Sequence, residues 1–271
     1  MNNNLKMFCL TLDPSHEKFI REANYVPVGL GEKMFPSSFL TDNKGKNISI
    51  KNRYYGEYTF HYWLWKNYLN QINDNWIGFC QYRKFWSLNF SQNKEINIDN
   101  LQSKILKKVP EEFNGYEVIL GSPFFINERK IMKFFKKGLP LIISNPKFLF
   151  DKSARNIKFH FDLMHGRGNL DKAIDLLDNN NRDDFRRFVH DEVSFNPHNM
   201  FICRSKKLLS EYYEEIFNWL FACEKIFGFK DLKGYGLTRI YGFLAERFMS
   251  YWFKKNAKIK EIPIIFHDIT N

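Results

Sequence analysis

Three short apolar runs, separated by longer stretches of helical character, constrain this chain more than any other feature. Residues 5–12 (Leu5-Lys6-Met7-Phe8-Cys9-Leu10-Thr11-Leu12), 76–80 (Trp76-Ile77-Gly78-Phe79-Cys80) and 116–120 (Tyr116-Glu117-Val118-Ile119-Leu120) each have the length and bulk of a buried strand. The first ends in Asp13-Pro14-Ser15-His16, a helix start with a capping residue. The third is closed by Gly121-Ser122-Pro123. Between them, residues 56–69 carry aromatics too densely for a single stripe, which predicts a helix buried on more than one side. Helix and strand alternating at these spacings predict an α/β sheet with parallel members.

Residues 24–50 are punctuated by Pro27, Gly29, Gly31, Pro36, Asp42, Asn43 and Gly45 and read as a long irregular stretch, the kind of loop that tends to carry function. The second half is more helical. Apolar residues recur at helical spacing over 206–227 and again over 237–255, while 156–187 is polar and rich in His, Asp and Arg. A short strand is expected at 199–203. With no internal repeat, low-complexity tract or linker, the chain reads as one domain, 1–271, with a sheet-rich part, 1–125, and a helical part, 126–271.

At 271 residues, 44% hydrophobic and 18% aromatic, the chain has ample material for a core, and a largely disordered protein is excluded. No apolar run approaches the roughly 18 residues of a membrane span, and Met1-Asn2-Asn3-Asn4 does not open a signal peptide, so a cytoplasmic protein is expected. Cys9, Cys80, Cys203 and Cys223 are scattered and read as reduced core thiols. The net charge of +11 favours polyanionic partners without choosing among nucleic acid, nucleotide phosphates and an acidic membrane face.

Several chemistries fail at the motif level. GxxxxGK[ST], HExxH and GxSxG are absent, and Gly29-Leu30-Gly31-Glu32-Lys33 lacks the third glycine and following helix of a dinucleotide fingerprint. The informative segment is the strand end after Cys80, where Gln81, Tyr82, Arg83 and Lys84 fall at the carboxyl edge of the expected sheet, the place where open α/β folds bind ligands. The planar fork of an arginine beside the point charge of a lysine suits a diphosphate.

The run Asn52-Arg53-Tyr54-Tyr55-Gly56-Glu57-Tyr58-Thr59, then Tyr62-Trp63-Leu64-Trp65-Lys66-Asn67, then residues 77–85 resembles a bacterial family of capsule and O-antigen glycosyltransferases. That family has an N-E-x-T…Y-W-x-W-K-N helix before a G-x-x-H-Y-R-R strand end. Asn199-Met200-Phe201-Ile202 and Arg239 with Gly242-Phe243-Leu244-Ala245-Glu246-Arg247 match it as well. Gln81 stands where the family has His, Lys84 where it has Arg, and Tyr58 where it has Leu.

The resemblance implies a GT-A-like fold, an α/β nucleotide-sugar-binding sheet flanked by helices, and sugar transfer from a nucleotide-sugar, a UDP-sugar, to a glycan acceptor, lipid-linked glycans among the candidates. It puts the donor on 1–125 and the acceptor on 126–271. The donor and its diphosphate are then expected on Thr11, Val28, Gly29, Asn52, Lys66, Gln81, Tyr82, Arg83 and Lys84, and the acceptor near His165, His198, Asn199 and Arg247. GT-A enzymes usually hold a divalent metal, Mg or Mn, on a DxD motif. Here the strand end carries no carboxylate, so cationic side chains are expected to balance the leaving group, unless Asp74, Asp99 or Asp191 brings a metal from elsewhere.

An inverting transfer needs a carboxylate base. Glu246 is the first candidate, because an acid in so apolar a helix is costly unless paired or functional. Asp191, in what reads as a loop with Glu192, and Glu57, at the start of the aromatic helix, follow it. His165 and His198 lie in turn-like sequence. Residues 129–137 form a basic amphipathic stretch suited to peripheral contact with an anionic inner-membrane surface. A nucleic-acid-binding protein is the main alternative from another class, and it lacks any legible reading motif, so no nucleic acid is expected. A sugar-binding scaffold subunit of a capsule assembly complex is the other.

Overall fold

Strand β1 (Leu5–Thr11) lies parallel to and between β2 (Val26–Gly29) and β4 (Trp76–Gln81), in register Cys9 with Pro27 and Cys9 with Cys80. β3 (Leu40–Thr41) continues the parallel set beyond β2. On the other side of β4, β9 (Phe201–Cys203) runs antiparallel to both β4 and β6 (Val118–Gly121), and β10 (Ile259–Ile262) is parallel to β6. The order is β10-β6-β9-β4-β1-β2-β3. A turn at Tyr82 and Arg83 folds β4 back into β5 (Lys84–Trp86), which pairs with β11 (Ile264–Phe266). The structure, a computed structural model, describes residues 3–88, 96–128 and 151–270. The basic stretch at 129–137 and the side chain of Asp99 lie outside them.

Every residue of β4 is buried, as expected of a strand covered on both faces. Side chains alternate, so Phe8 and Phe79 share one face and stack with ring centroids 5.8 Å apart, while Cys9 and Cys80 belong to the other. The first face is covered by α3 (Tyr58–Trp63), whose Phe60 and His61 meet Phe8 and Phe79, and His61 also meets Phe201. The second face buries Met7, Cys9, Trp76, Cys80 and Ile202 with Ile20 of α1 (Glu17–Glu22) and Leu101 of α4 (Ile98–Lys104). Gly78 is needed where it stands: a Cβ there would come within 2.9 Å of Met7 and 3.1 Å of Ile202.

The chain divides into two units, one of Met1–Ser122, Asn199–Glu214 and Phe253–Asn271, which holds this sheet, and one of Pro123–His198 and Glu215–Trp252. The second is mainly helical: α5 (Ile157–His165), α6 (Asn169–Ile174), α7 (Asn179–Asp191), residues 215–227 of α8 (Lys206–Phe227), α9 (Tyr235–Thr238) and residues 240–252 of α10 (Ile240–Asn256). The short pair β7 (Phe124–Phe125) and β8 (Ser194–Phe195) joins them. Asn156 caps α5 by accepting from the Phe159 N–H at 2.8 Å, and Asp178 caps α7 through the Asn181 N–H at 3.1 Å. Phe185, Trp219 and Phe248 pack together, with centroids 5.1 to 5.8 Å apart.

Three expectations change. Residues 24–50 contain β2 and β3; Pro27 demotes a strand reading, but Val26 and Val28 pair with β1 in spite of it. Asp191 closes α7 instead of standing in a loop, with Glu192 as its C-cap. His165 is the buried last residue of α5 and not a turn residue, stacked on Phe243 at 4.0 Å.

Candidate functional site

The parallel strands β1, β2, β3 and β4 end together at Thr11, Gly29, Thr41 and Gln81, forming the carboxyl edge of the sheet in the first unit. Period-two alternation sorts the polar residues of this edge into two groups. Thr11 belongs with the Cys9 face. Its Oγ1 lies 2.7 Å from His16 Nδ1, and His16 Nε2 lies 3.2 Å from Thr270 Oγ1, which donates to Asp268 at 2.6 Å. Since the Thr270 proton goes to the carboxylate, His16 donates from Nε2, and the Thr11 hydroxyl lies between His16 Nδ1 and the Asp13 carbonyl, to which it donates at 3.3 Å. Burial lowers the His16 pKa, opposed by Asp13.

Tyr82 stacks on His16 with ring centroids 5.1 Å apart, and its carbonyl and that of Arg83 accept from the N–H groups of Ile269 and His267. Arg83 is exposed on the turn, with its guanidinium 5.5 Å from the Tyr82 ring. Asp268, held below the usual carboxylate range mainly by its hydrogen bond from Thr270, also feels the charge of Arg83. Asp13 is likewise held low, chiefly by Lys33 at 2.5 Å. The backbone of Leu30 donates to the Thr11 carbonyl, and a Cβ on Gly29 would meet the Phe35 ring at 2.3 Å, so Val28 and Gly29 present main chain under that ring.

On the Phe79 face, Gln81 Nε2 donates to Glu57 Oε1 and Gln81 Oε1 accepts from Lys84 Nζ, both at 2.9 Å. The carboxamide thereby couples an acid to a base. Asn52 Nδ2 donates to the Gly56 carbonyl and to Thr59 Oγ1 at 3.1 and 3.0 Å. Asp42, just beyond β3, is buried, and burial raises its pKa against a hydrogen bond from Thr59. Lys66 Nζ sits 3.0 Å from the centroid of the Trp65 ring, and Asn67 bonds both backbone groups of Lys46. Asn67 of the W-K-N triplet thus pins the turn around Lys46.

The described residues of the second unit enclose a pocket of about 560 Å³. Here the structure gathers Glu246, Arg247, His165 and His198, which the sequence placed far apart. Glu246 Oε1 accepts from the His198 N–H at 2.5 Å, and its Oε2 pairs with Arg247 Nη1. His198, at φ 81, sits in the left-handed region, which turns that N–H toward α10. Arg247 Nη2 lies 3.0 Å from His160 Nδ1, and its guanidinium sits 4.2 Å from the Phe195 ring centroid. Burial lowers the Arg247 pKa, opposed by Glu246. His165 Nδ1 lies 3.0 Å from the Gly236 carbonyl. Asn199 falls in the first unit, at φ 53.

His160, Phe124, Lys233 and Tyr235 also line this pocket and were missed by sequence reasoning. Lys233-Gly234-Tyr235-Gly236, an aromatic between glycines, was the signal available for two of them. Asp74 pairs with Lys6 at 3.4 Å, and Asp191 ends a helix. Among the described residues, no group of three or more His, Cys, Asp and Glu is placed to hold a metal ion. With the Lys84 ammonium on Gln81, the donor set at the β4 end does not suit a cation. No helix of the described residues is long and apolar enough to cross a membrane.

Comparison with known proteins places this geometry. The family model described as Domain of unknown function (DUF4422) matches residues 11–257. No curated relative matches the chain. Among solved structures, the WbbM bifunctional glycosyltransferase in its apo form superposes with a TM-score of 0.73 at 19% identity, over 99% of this chain and 46% of that one, so this chain spans about half of that protein. The mannosyltransferase Ktr4p from S. cerevisiae matches 97% of this chain and 70% of its own at 12% identity and a TM-score of 0.35. Core-mannan synthase A from Aspergillus fumigatus, in a Mn/GDP form, matches 95% of this chain and 72% of its own at 12% identity and a TM-score of 0.36. The fold is α/β with a central, mostly parallel sheet, and it is GT-A-like.

Proposed function

The chain belongs to the DUF4422 family, and we propose that it transfers a sugar from a nucleotide-sugar donor, a UDP-sugar, to a growing capsular, O-antigen or lipooligosaccharide glycan. The observation that carries this reading is the carboxyl edge of a GT-A-like sheet, where four parallel strands end together and an exposed arginine stands on the turn after β4. In this reading the nucleotide lies along the main chain of Val28 to Leu30, and Arg83 forks onto the diphosphate as charge develops on the leaving group. Lys84, tied to Gln81, adds a fixed positive field. Glu246 takes the proton of the acceptor hydroxyl, with its carboxylate oriented by the His198 N–H and Arg247.

Calorimetric titration with UDP and GDP tests the donor half. UDP is expected to bind, with Arg83→Ala weakening it by about tenfold or more and Lys84→Ala by less, because only the arginine loses a bidentate contact. Absence of nucleotide binding, or equally small effects of both substitutions, overturns the assignment.

A further inference from the structure

The pocket of the second unit has a chemical bias of its own. Its walls are aromatic: Phe124, Phe195, Phe243 and Tyr235 all line it. Tyr235 is 69% exposed although its ring meets Phe243 edge-on at 5.8 Å, and it follows Gly234 at φ 77, so a ring stands out from a glycine turn. The Arg239 guanidinium lies 5.9 Å from its centroid on one side, and the other face suits the C–H side of a pyranose. A volume of about 560 Å³ is in the range of ordinary small-ligand pockets and accommodates one or two sugar rings.

Charge separates this pocket from a neutral sugar site. Among the described lining residues the full charges are Glu246, Arg247 and Lys233. The first two cancel each other in a pair whose side chains are 12% and 2% exposed. Lys233 is exposed at the pocket wall and adds a positive charge that no described lining carboxylate offsets. That cation favours an anionic group on the ligand.

We propose that this pocket binds an acceptor saccharide bearing an anionic group, a carboxylate or a phosphate, with a ring face on Tyr235 and the anion on Lys233. This rests on the reading of the chain as a sugar transferase and narrows its acceptor to acidic or phosphorylated glycans. In such a complex the anion fixes the register of the saccharide, and the aromatic wall supplies contact area regardless of the sugar.

The test uses the full chain and three probes that differ at one position: methyl glucoside, its 6-carboxylate and its 6-phosphate, titrated by NMR at low salt, with inorganic phosphate as a fourth. At least one anionic glycoside is expected to bind about tenfold more tightly than methyl glucoside. In Lys233→Met that advantage should fall to less than about twofold while methyl glucoside affinity is unchanged, and in Tyr235→Ala all three glycosides should weaken together. Preference for the carboxylate identifies a uronate-type acceptor, and preference for the phosphate a phosphorylated one. Equal affinity for all three, an advantage that survives Lys233→Met, or phosphate alone binding as tightly as the glycosides overturns the proposal. Both substitutions are at exposed positions, so unchanged thermal unfolding separates a lost contact from a lost fold. If no glycoside binds while UDP does, this proposal falls and the donor reading stands. If the anionic glycoside binds and no nucleotide does, the donor reading falls.

Discussion

The sheet edge of the first unit and the pocket of the second use similar side chains to different ends. At the edge, polar groups answer one another: Glu57 with Gln81 and Lys84, Asn52 with Thr59, and Thr11 with His16 and Thr270. Among the described residues of the pocket, the innermost pair, Glu246 and Arg247, answers itself at charge level, and Lys233 and Tyr235 stand at the exposed rim. The edge is therefore a built scaffold from which Arg83 protrudes, whereas the pocket is an anchored floor beneath an open rim. Substitutions inside either network should cost stability, and those at Arg83, Lys233 and Tyr235 should cost binding.

The largest expected effect lies at the pocket floor. Glu246→Ala strands Arg247, whose side chain is 2% exposed, and should destabilise the protein by about 3–5 kcal/mol in denaturant titration. Glu246→Gln keeps the shape and should cost less, while transfer falls by about 10²–10⁴-fold if the carboxylate takes the acceptor proton. Near-normal transfer by a folded Gln variant removes Glu246 as the base.

Beneath the sheet edge, His61 is fully buried with its Nδ1 2.7 Å from the Tyr213 hydroxyl, and burial pulls its pKa from 6.5 down to about 3. The unfolded chain then takes up this proton first, so the contribution to stability is complete above pH 6.5 and is lost as pH falls from there toward 3. The slope approaches about 1.4 kcal/mol per pH unit, or about 2 kcal/mol lost by pH 5. Unfolding measured between pH 7 and 5 should show this loss, and His61→Phe should flatten it. A slope unchanged in the variant would assign the acid sensitivity elsewhere.

Gln81→Leu breaks the link between Glu57 and Lys84 and should cost about 1–2 kcal/mol, since both partners are half-buried. A loss below the error of the measurement would show that this edge is not a cooperative network. The smallest effect on stability belongs to Arg83→Ala, within about 0.5 kcal/mol for an exposed turn residue, in contrast to its expected loss of UDP affinity.

Much of the fold was legible. The strands at 5–12 and 76–80 and the helix at 206–227 form essentially where periodicity and burial place them, because a strand or helix is specified by neighbours within a few residues. Caps such as Asn156 and Asp178 act over three residues and are written equally locally. The two short strands in 24–50 were not legible: two to four residues carry too little pattern, and β1 supplies the pairing.

The sequence by itself determined that an apolar strand would end in Gln81-Tyr82-Arg83-Lys84 and that Glu246 would sit in an apolar helix needing a partner. Only the tertiary structure decided that the first group splits between two faces of the sheet, that Arg83 stands out on a turn while Lys84 folds back, and that Glu246 meets the backbone of His198 and Arg247 meets His160, 48 and 87 residues away in sequence. The reason is physical. Local conformation is set by steric and hydrogen-bonding preferences that act within a turn, whereas the meeting of distant polar groups depends on how loops return the chain to a packed core. Inside that core an unanswered charge is costly enough to select one arrangement.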